Sequence, residues 1–388
     1  MTRQAIIGAR IFDGTRFYDD HALVVLDGKI EAVVPQAQVA TDCQQTELAG
    51  GVLAPGFIDA QVNGGGGRML NDDPSAALMH MIADGHRPFG TTSVLPTLIT
   101  DESEASVRAI AAAVSAVAAD RGVAGLHLEG PHLAPARKGT HLAKFMRPME
   151  ELDVERLSAA AAEISTLVLT VAAEQVTERQ VRRLSEAGAT VCLGHTDCDA
   201  VGAQRLFDAG ARGVTHLFNA MSGFGHRKPG LVGAALDHPD VWGGIIADGH
   251  HVDPLALRIA LRAKRGPGRL YFVTDAMSLV GQDADHFTLN GRTIWRKKGG
   301  YCSRLALEDG TLAGSDLDMA SAVRFGVTYL DLSLGEALRM ASAYPADFLR
   351  LHDRGRLAPG LRADLVHLGE DLHVRQTWRV GTPAAGSA

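Results

Sequence analysis

The chain has 388 residues, 46% of them hydrophobic, which is enough to bury a large core and a second, smaller domain. A net charge of −7 without long basic runs argues against a nucleic-acid partner, and no apolar stretch is long enough to span a membrane. The first residues lack a signal-peptide core, and the four cysteines (Cys43, Cys192, Cys198 and Cys302) form no CxxC pair. We therefore expect a cytoplasmic protein with neither disulfide bonds nor a membrane partner.

The chain begins and ends with short strands and turns. The apolar runs 22–26 and 30–34 flank Asp27-Gly28-Lys29, which predicts a β-hairpin. Residues 360–368 return to the same strand-and-turn pattern. We predict that residues 1–53 and 356–388 together form one small β-sandwich domain.

Eight continuous apolar runs, separated by helical segments, occupy the middle of the chain. Continuous hydrophobicity is typical of parallel strands that are buried on both faces. Among the helix starts, Thr177-Glu178-Arg179-Gln180 predicts a capping box, and Asp253-Pro254 predicts an N-cap followed by a proline. The runs lie at 52–62, 92–99, 123–129, 166–173, 190–195, 213–217, 242–247 and 269–274.

This alternation predicts a (β/α)8 TIM-like barrel over residues 54–355, with an active site at the carboxyl ends of its strands. Residues 287–295 are centred on Asn290-Gly291, which predicts a β-hairpin inserted near residues 286–312. A helix is expected to follow at 316–331.

Four polar residues, Glu129, His195, His216 and Asp275, each close one of the apolar runs. One carboxylate and two imidazoles can hold a divalent cation and leave a position for water, while a second carboxylate can move protons. Taken singly, each histidine would more often be a core or surface residue, and Asp275 would equally well be a helix cap or a structural acceptor. The four together favour a catalytic metal site with Glu129, His195 and His216 as ligands.

The first barrel strand ends with Gln61 and Asn63, where the amidohydrolase superfamily, which this sequence resembles, usually has His-x-His. Amide oxygens are weak zinc ligands, so this pair is a vestigial metal site or a substrate contact. Binuclear members often use a carboxylated lysine in strand 4, but no lysine lies between Lys144 and Lys228. We expect one divalent ion per subunit, with zinc preferred and iron, cobalt or manganese compatible.

Five motifs follow one another along the chain: Glu129-Gly130-Pro131-His132, Gly139-Thr140-His141, residues 216–221, Arg227-Lys228-Pro229-Gly230 and Asp248-Gly249-His250-His251. With this ordered set, the whole chain resembles the N-acetylglucosamine-6-phosphate deacetylase family. The resemblance implies hydrolysis of N-acetyl-D-glucosamine 6-phosphate to D-glucosamine 6-phosphate and acetate, in amino-sugar metabolism.

The same resemblance assigns roles to further residues. Asp275 would take a proton from the attacking water and return it to the leaving amine. Arg227 and His251 would reach the substrate phosphate from a neighbouring subunit, which implies a homodimer. The implied substrate-binding residues are Thr140, His141, Asn219, the backbone of Ala220, Arg227, Asp248, His250, His251 and the loop Leu312, Ala313, Gly314 and Ser315.

Several alternatives remain open. The reaction could act on the galacto epimer, N-acetylgalactosamine 6-phosphate, or the barrel could be a cyclic amidase or nucleobase deaminase. A barrel without catalysis would serve as a scaffold or as a sugar-phosphate sensor. His132 and His250 are not expected to be metal ligands, and Cys192 and Cys198 are expected to be small buried apolar residues.

Overall fold

The computed structural model describes residues 3–41 and 43–384. The strands in these residues are β1 Arg3–Ile7, β2 Arg10–Phe12, β3 Phe17–Tyr18, β4 His21–Leu26, β5 Lys29–Pro35, β6 Gln44–Glu47, β7 Val52–Pro55, β8 Phe57–Val62, β9 Gly64–Gly65, β10 Arg68–Met69, β11 Thr91–Ile99, β12 Leu126–Glu129, β13 Leu167–Val171, β14 Thr190–Leu193, β15 Gly213–Val214, β16 Trp242–Ile246, β17 Leu270–Val273, β18 His286–Leu289, β19 Arg292–Lys297, β20 Arg304–Ala306, β21 Leu312–Ser315, β22 Leu365–Leu368, β23 Val374–Arg379 and β24 Thr382–Pro383.

The α-helices are α1 Ala76–His86, α2 Ser103–Ala118, α3 Glu151–Glu163, α4 Glu178–Glu186, α5 Ala200–Asp208, α6 Gly230–Asp237, α7 Pro254–Ala263, α8 Met319–Tyr329, α9 Leu334–Ala341 and α10 Ala343–Leu349. Short 3₁₀ helices cover Gln36–Gln38, Leu70–Asp72, Arg87–Phe89, Pro135–Arg137, Ala143–Phe145 and Ala173–Gln175. No helix of the described segments has both the length and the apolar character needed to cross a bilayer.

The chain forms two compact units. One contains residues 1–59, 86–93 and 318–388, and the other contains residues 60–85 and 94–317. These bounds differ from those of the predicted domains, because the segment from α8 to α10 belongs to the same unit as the two ends of the chain. Within that unit, Arg324 donates to the carbonyl of Leu372 at 3.1 Å, and Arg339 donates to the carbonyl of Thr15 at 3.4 Å.

Two sheets built from both ends of the chain form the β layers of the first unit. Their strand orders are β5-β4-β1-β6 and β24-β23-β22-β7-β2-β3. Side chains from both sheets share one buried apolar cluster, so burial of these faces holds the layers together. The cluster contains Ile6, Ile11, Leu23, Val25, Ile30, Leu53, Leu357, Ala363, Leu365 and Trp378.

The largest sheet is the parallel, eight-stranded sheet β8-β11-β12-β13-β14-β15-β16-β17. Its two edges approach each other, since Val62 bridges Ala276 and the amide of Asn63 donates to the carbonyl of Ala276 at 2.9 Å. The sheet is therefore nearly closed into a barrel, which confirms the predicted fold class. The strand residues are almost entirely buried, as expected for parallel strands covered on both faces.

The predicted first barrel strand, residues 52–62, is in fact two strands. β7 pairs with β2 and β22, and β8 belongs to the barrel. Gly56 lies between them, and a Cβ at this position would come within 2.3 Å of Thr92 Cγ2. The chain therefore changes sheets at a residue that has no room for a side chain, a change that continuous hydrophobicity does not reveal.

Local signals begin two of the helices as predicted. Thr177 Oγ1 accepts from the amide of Gln180, and Gln180 Oε1 accepts from the amide of Thr177, which completes the capping box of α4. At α7, Asp253 Oδ1 accepts from the amide of Leu255 at 2.7 Å. Both caps satisfy amide groups that have no partner inside the helix.

The predicted hairpin insertion is a four-stranded antiparallel sheet, β18-β19-β20-β21. Its first turn holds Asn290 and Gly291 at positive φ, 52° and 74°, as an Asn-Gly turn requires. The apolar face packs on residues that follow the barrel strands. The shared cluster contains Met69, Ile99, Met277, Leu279, Leu289, Ile294, Leu305 and Ala313.

Candidate active site

The barrel brings together the four polar residues that close its apolar strands. Glu129 is the last residue of β12, and His195, His216 and Asp275 each lie two residues beyond β14, β15 and β17. All four line one open cavity of about 780 Å³. A concave site with several convergent polar groups is typical of small-molecule binding.

Three of these residues have an unusual backbone conformation. His195, His216 and Asp275 have φ values of +48°, +30° and +53°, in or near the left-handed region that side chains other than glycine rarely adopt. Backbone hydrogen bonds hold the turns at Asp275 and His195. The amide of Asp275 donates to the carbonyl of Gln61, and the carbonyl of His195 accepts from the amide of Ala134. Strain of this kind persists where the surrounding structure enforces it, and it clusters at functional sites.

Nitrogen and oxygen atoms converge at the centre of the cavity. Glu129 Oε1 lies 3.2 Å from His195 Nε2 and 3.0 Å from His216 Nε2, and the two nitrogens are 3.1 Å apart. His141 also approaches, with Nε2 3.9 Å from Glu129 Oε2. Ligand atoms of Glu129, His141 and His195 all lie within 4.8 Å of one another, and His216 joins them through its contacts with Glu129 and His195. One carboxylate and several imidazoles so close together can hold a divalent cation.

The histidines control the charge of this cluster. Burial alone would raise the pKa of Glu129, but hydrogen bonds to His195 and His216 hold that pKa well below its ordinary value. Burial alone would lower the pKa of His216, whereas its hydrogen bond to Glu129 raises it above the ordinary value. A proton and a metal ion therefore compete for the same nitrogen.

Backbone atoms distinguish His195 from His141. His195 Nδ1 lies 2.8 Å from the carbonyl of Arg137 and donates to it, so Nε2 can offer its lone pair to a metal ion when it is not donating to Glu129. His141 Nδ1 lies 3.3 Å from the amide nitrogen and 2.9 Å from the hydroxyl of Thr100. An Nδ1 that accepts from this amide leaves the proton on Nε2, which faces Glu129. These tautomers are assigned from the hydrogen-bond network, and they leave His195 able to bind a metal ion and His141 able to donate a proton through Nε2.

Amide groups from the first barrel strand bridge the two carboxylates. Gln61 Nε2 lies 3.2 Å from Glu129 Oε1 and 3.1 Å from Asp275 Oδ1, and Asn63 Nδ2 donates to Asp275 Oδ1 at 2.7 Å. These residues thus present N–H donors, not oxygen ligands, to the cluster. Burial and the negative charge of Glu129 raise the pKa of Asp275 to about 6, in the range of a general base.

Most of the predicted substrate-binding residues line the same cavity. Thr140 is 8% exposed, and its Oγ1 has no hydrogen-bond partner among the described residues, which suits a ligand hydroxyl. Other predicted residues in the lining are His141, Asn219, Ala220, His251, Leu312, Gly314 and Asn63.

His251 and Arg227 are placed differently from each other. His251 lines the cavity of its own chain, and its Nδ1 lies 2.6 Å from Asp248 Oδ2, which leaves Nε2 for a ligand. This differs from the prediction that a neighbouring subunit supplies His251. Arg227 is exposed on the loop before α6 and is not among the residues that line the cavity.

The remaining predicted residues lie beside the cavity. Asp248 supports His251, while His250 Nε2 donates to the carbonyl of Cys302 at 2.8 Å. Ser315 Oγ donates to the carbonyl of Thr274, and Ala313 is fully buried in the apolar cluster of the insertion.

Two groups that were not expected to bind metal lie apart from the cluster. His132 lines a separate crevice, with Nδ1 3.1 Å from the carbonyl of Arg147 and Nε2 3.9 Å from Asp153 Oδ2. Burial raises the thiol pKa of Cys192 to about 12 and that of Cys198 to about 11. Neither thiol is disposed to act as a thiolate ligand.

Sequence reasoning missed several residues of the site. Thr100 holds His141, and Ile99, Met277 and Thr311 contribute to the cavity wall. Arg292, on the inserted hairpin, donates from Nη2 to the carbonyl of Thr140. Of the residues around the site that were not assigned a role, Gly139 alone belongs to a motif recognised in the sequence. Gly139 has a φ of +55°, and a Cβ at this position would lie 3.5 Å from His195 Cε1.

The raised pKa of Asp275 predicts that Asp275→Asn stabilises the metal-free protein at neutral and alkaline pH. A carboxyl group with a folded pKa near 6 and an unfolded pKa of 3.8 contributes full stability below about pH 4 and loses it as pH rises through 6. Asparagine carries no such penalty, so we expect a gain on the order of 1–3 kcal/mol at about pH 8. Urea unfolding of chelator-treated protein at a series of pH values measures it.

The control is Asp283→Asn, which removes an exposed carboxylate of the same region. Its unfolding free energy should follow that of the parent at every pH. An Asp275→Asn variant whose stability difference from the parent does not change between acidic and alkaline pH would show that Asp275 titrates like a solvated carboxylate.

Comparison with known proteins finds related sequences over nearly the whole chain. A family model described as the amidohydrolase family matches residues 52–383, and a NagA composite domain model matches residues 4–53. The chain is 39% identical over 378 residues to an N-acetylgalactosamine-6-phosphate deacetylase of Shewanella sp. (strain ANA-3), covering 96% of this chain and 94% of that protein. It is 34% identical over 369 residues to an N-acetylglucosamine-6-phosphate deacetylase of Haemophilus influenzae, covering 94% of each.

A solved structure shares the fold over its full length. The crystal structure of N-acetylglucosamine-6-phosphate deacetylase from Pasteurella multocida has a TM-score of 0.94 and 34% sequence identity, covering 99% of this chain and 100% of that chain. The chain therefore belongs to the amidohydrolase family, and it is a hydrolytic enzyme.

Proposed function

We propose that this enzyme removes the acetyl group from N-acetyl-D-glucosamine 6-phosphate and releases D-glucosamine 6-phosphate and acetate. The observation that carries the proposal is the approach of Glu129, His195 and His216 to within 3.2 Å of one another in a cavity that also contains Asp275. Relatives that are 34–39% identical over nearly the full chain bear names of amino-sugar phosphate deacetylases, which supports the choice of substrate.

Glu129, His195 and His216 would hold one divalent ion, and zinc suits a carboxylate with two imidazoles, although iron, cobalt and manganese are compatible. Such an ion polarises the amide carbonyl and lowers the pKa of the attacking water. Gln61 and Asn63 direct N–H groups toward the carboxylates of Glu129 and Asp275. A second ion would need ligand atoms with lone pairs at these positions. The donor set therefore favours one ion per subunit.

Asp275 is the proposed base and acid. Its pKa near 6 leaves it ionised at neutral pH, so its carboxylate can accept a proton from the attacking water. The protonated carboxyl then passes that proton to the amide nitrogen, since an amine leaves readily only when it is protonated. Hydrogen bonds from Gln61 and Asn63 fix the carboxylate during both transfers.

His141 is the proposed donor to the substrate carbonyl. The protonated Nε2 can hydrogen bond to an oxygen on which negative charge develops. Burial lowers the pKa of His141 to about 3, so the ring stays neutral and donates without adding a charge to the cluster. Thr140 Oγ1, which lacks a partner in the described residues, would bind a hydroxyl of the sugar.

Metal binding tests the assignment of the two histidines. Changing His195→Ala should abolish binding of the divalent ion, because Nε2 of His195 is a ligand. Changing His141→Ala should leave one ion bound per chain but lower kcat by about 10²–10³, because it removes only a donor. Elemental analysis and steady-state kinetics measure the two effects, and equal loss of metal in both variants would contradict the tautomer assignment.

Substrate comparison tests the reaction. Zinc-loaded enzyme should release acetate from N-acetylglucosamine 6-phosphate, and removal of the phosphate from the substrate should lower kcat/KM by at least about 10². No acetate release from any acetylated amino sugar, together with turnover of a cyclic amide or nucleobase, would replace the proposal with another amidohydrolase reaction. Binding of the sugar phosphate without turnover of any substrate would indicate a sensor.

The galacto epimer is the second candidate substrate. It is favoured by the 39% identity to the Shewanella N-acetylgalactosamine-6-phosphate deacetylase, against 34% to the Haemophilus N-acetylglucosamine-6-phosphate deacetylase. The epimers differ only in the orientation of one hydroxyl group, so the kcat/KM values of both substrates, measured in parallel, decide between them.

We also propose that the enzyme is a homodimer in which Arg227 binds the phosphate in the partner's cavity. Arg227 is exposed and outside its own cavity, and Phe224 on the same loop is 67% exposed. On α7, Leu255 and Ile259 are 54% and 53% exposed, so apolar surface suitable for a second copy lies on this part of the protein. His251 would bind the phosphate from within its own chain.

Subunit mixing tests this arrangement. Arg227→Ala and Asp275→Asn proteins should each be inactive, but a dimer with one subunit of each kind contains one intact site. After random exchange of subunits, roughly a quarter of the parent activity should return, because about half of the dimers are hybrids with one working site. No recovery in a mixture proven to contain hybrid dimers would place Arg227 in the cavity of its own chain.

A further inference from the structure

A chain of buried polar side chains crosses the barrel directly beneath the cluster. We refer to Thr97, His127, Thr170 and Thr215 as the buried belt. These residues are 0%, 2%, 1% and 6% exposed, and they come from β11, β12 and β13 and from the residue after β15. Their presence in an otherwise apolar interior requires that their hydrogen bonds be satisfied.

The belt is continuous. Thr97 Oγ1 lies 3.2 Å from His127 Nδ1, and His127 Nε2 lies 2.7 Å from Thr170 Oγ1. Thr170 Oγ1 in turn lies 2.6 Å from Thr215 Oγ1. The amide of Val62 donates to Thr97 Oγ1 at 3.0 Å and so anchors one end of the belt to the backbone.

Two residues of the belt, and the amide that anchors it, lie within two residues of the cluster in the chain. Val62 lies between Gln61 and Asn63, His127 is two residues before Glu129, and Thr215 immediately precedes His216.

The fourth connection to the cluster is through packing. A Cβ on Gly194, the residue before His195, would lie 2.9 Å from Thr170 Cγ2 and 3.0 Å from Thr215 Cβ. The belt therefore supports the backbone immediately before both histidines of the proposed metal centre.

We propose that the buried belt is a positioning device that sets the spacing of Glu129, His195 and His216 and thereby the affinity of the site for its divalent ion. The proposal rests on the metal centre put forward above. Hydrogen bonds across β11, β12 and β13 oppose sliding of these strands, and the contacts of Thr170 and Thr215 with Gly194 fix the turn that presents His195. The belt residues do not touch the substrate, so they act through the ligands.

Two substitutions, Thr170→Val and Thr170→Ser, separate the hydrogen bonds made by the hydroxyl of Thr170 from the contact of its methyl group with Gly194. Valine has nearly the same shape and keeps a methyl group against Gly194, but it breaks the hydrogen bonds to His127 and Thr215. Serine keeps the hydroxyl and loses the methyl group. Thr190→Val is the matched control, because Thr190 is a buried threonine at the opposite end of β14 from His195.

The experiment measures zinc affinity of the full-length protein by competition with a chelator, together with kcat and KM at saturating zinc and the midpoint of urea unfolding. Thr170→Val should weaken zinc binding by about 10- to 100-fold, as loss of support behind metal ligands does in other sites. Thr170→Ser keeps the hydrogen bonds and loses only the methyl contact with Gly194, so it should weaken zinc binding less than Thr170→Val does, by no more than about tenfold. Thr190→Val should change only the unfolding midpoint. KM for substrate should stay near the parent value once zinc is saturating.

Two results would overturn the proposal, and they differ from each other. Parent-like zinc affinity of Thr170→Val, with a lowered unfolding midpoint, would show that the belt only stabilises the barrel. Failure of the parent itself to bind zinc or another divalent ion would overturn the metal centre, and with it the role of the belt. If Thr170→Val does not fold, the pair Thr215→Val and Thr215→Ser provides the same comparison one step along the belt.

Discussion

The structure at the carboxyl ends of the barrel strands depends on keeping the buried carboxylate of Glu129 charged. Glu129 is 2% exposed, and its charge is stabilised by His195, His216 and the amide of Gln61. An ion removed from water requires such partners, or it takes up a proton instead. The left-handed turns at His195 and His216 and the first-strand amide of Gln61 all bring partners to this one group. Asp275, with less compensation, has its pKa raised to about 6.

The barrel and the convergence of Glu129, His195, His216 and Asp275 were predictable, because hydrophobic runs mark strands and a barrel gathers their ends. The approach of His141 to within 3.9 Å of Glu129 was not, since it depends on an irregular segment between two 3₁₀ helices. Arg292 likewise comes from an insertion whose placement follows from tertiary packing. The passage of the chain from one sheet to another at Gly56 could not be predicted, because the strands on both sides of it are apolar.

Backbone atoms determine much of the chemistry that the side chains can perform. The carbonyl of Arg137 and the amide of Thr100 favour opposite tautomers of His195 and His141, although both rings lie in the same cavity. An identical pair of side chains can therefore offer a lone pair in one case and a proton in the other. The loop from β12 to α3 contains Arg137 and His141, so its conformation decides both functions.

The first-strand amides also have a consequence for charge. One divalent ion, with the carboxylates of Glu129 and Asp275, sums to zero, and the amides of Gln61 and Asn63 leave that sum unchanged. A phosphate monoester brings about −1.5 to −2 charges at neutral pH. Nothing in a neutral cluster compensates this charge, so positive groups at the far end of the substrate must do so. For the proposed function, electroneutrality would thus divide the substrate into an acetamide end that meets balanced charges and a phosphate end that depends on arginine and histidine.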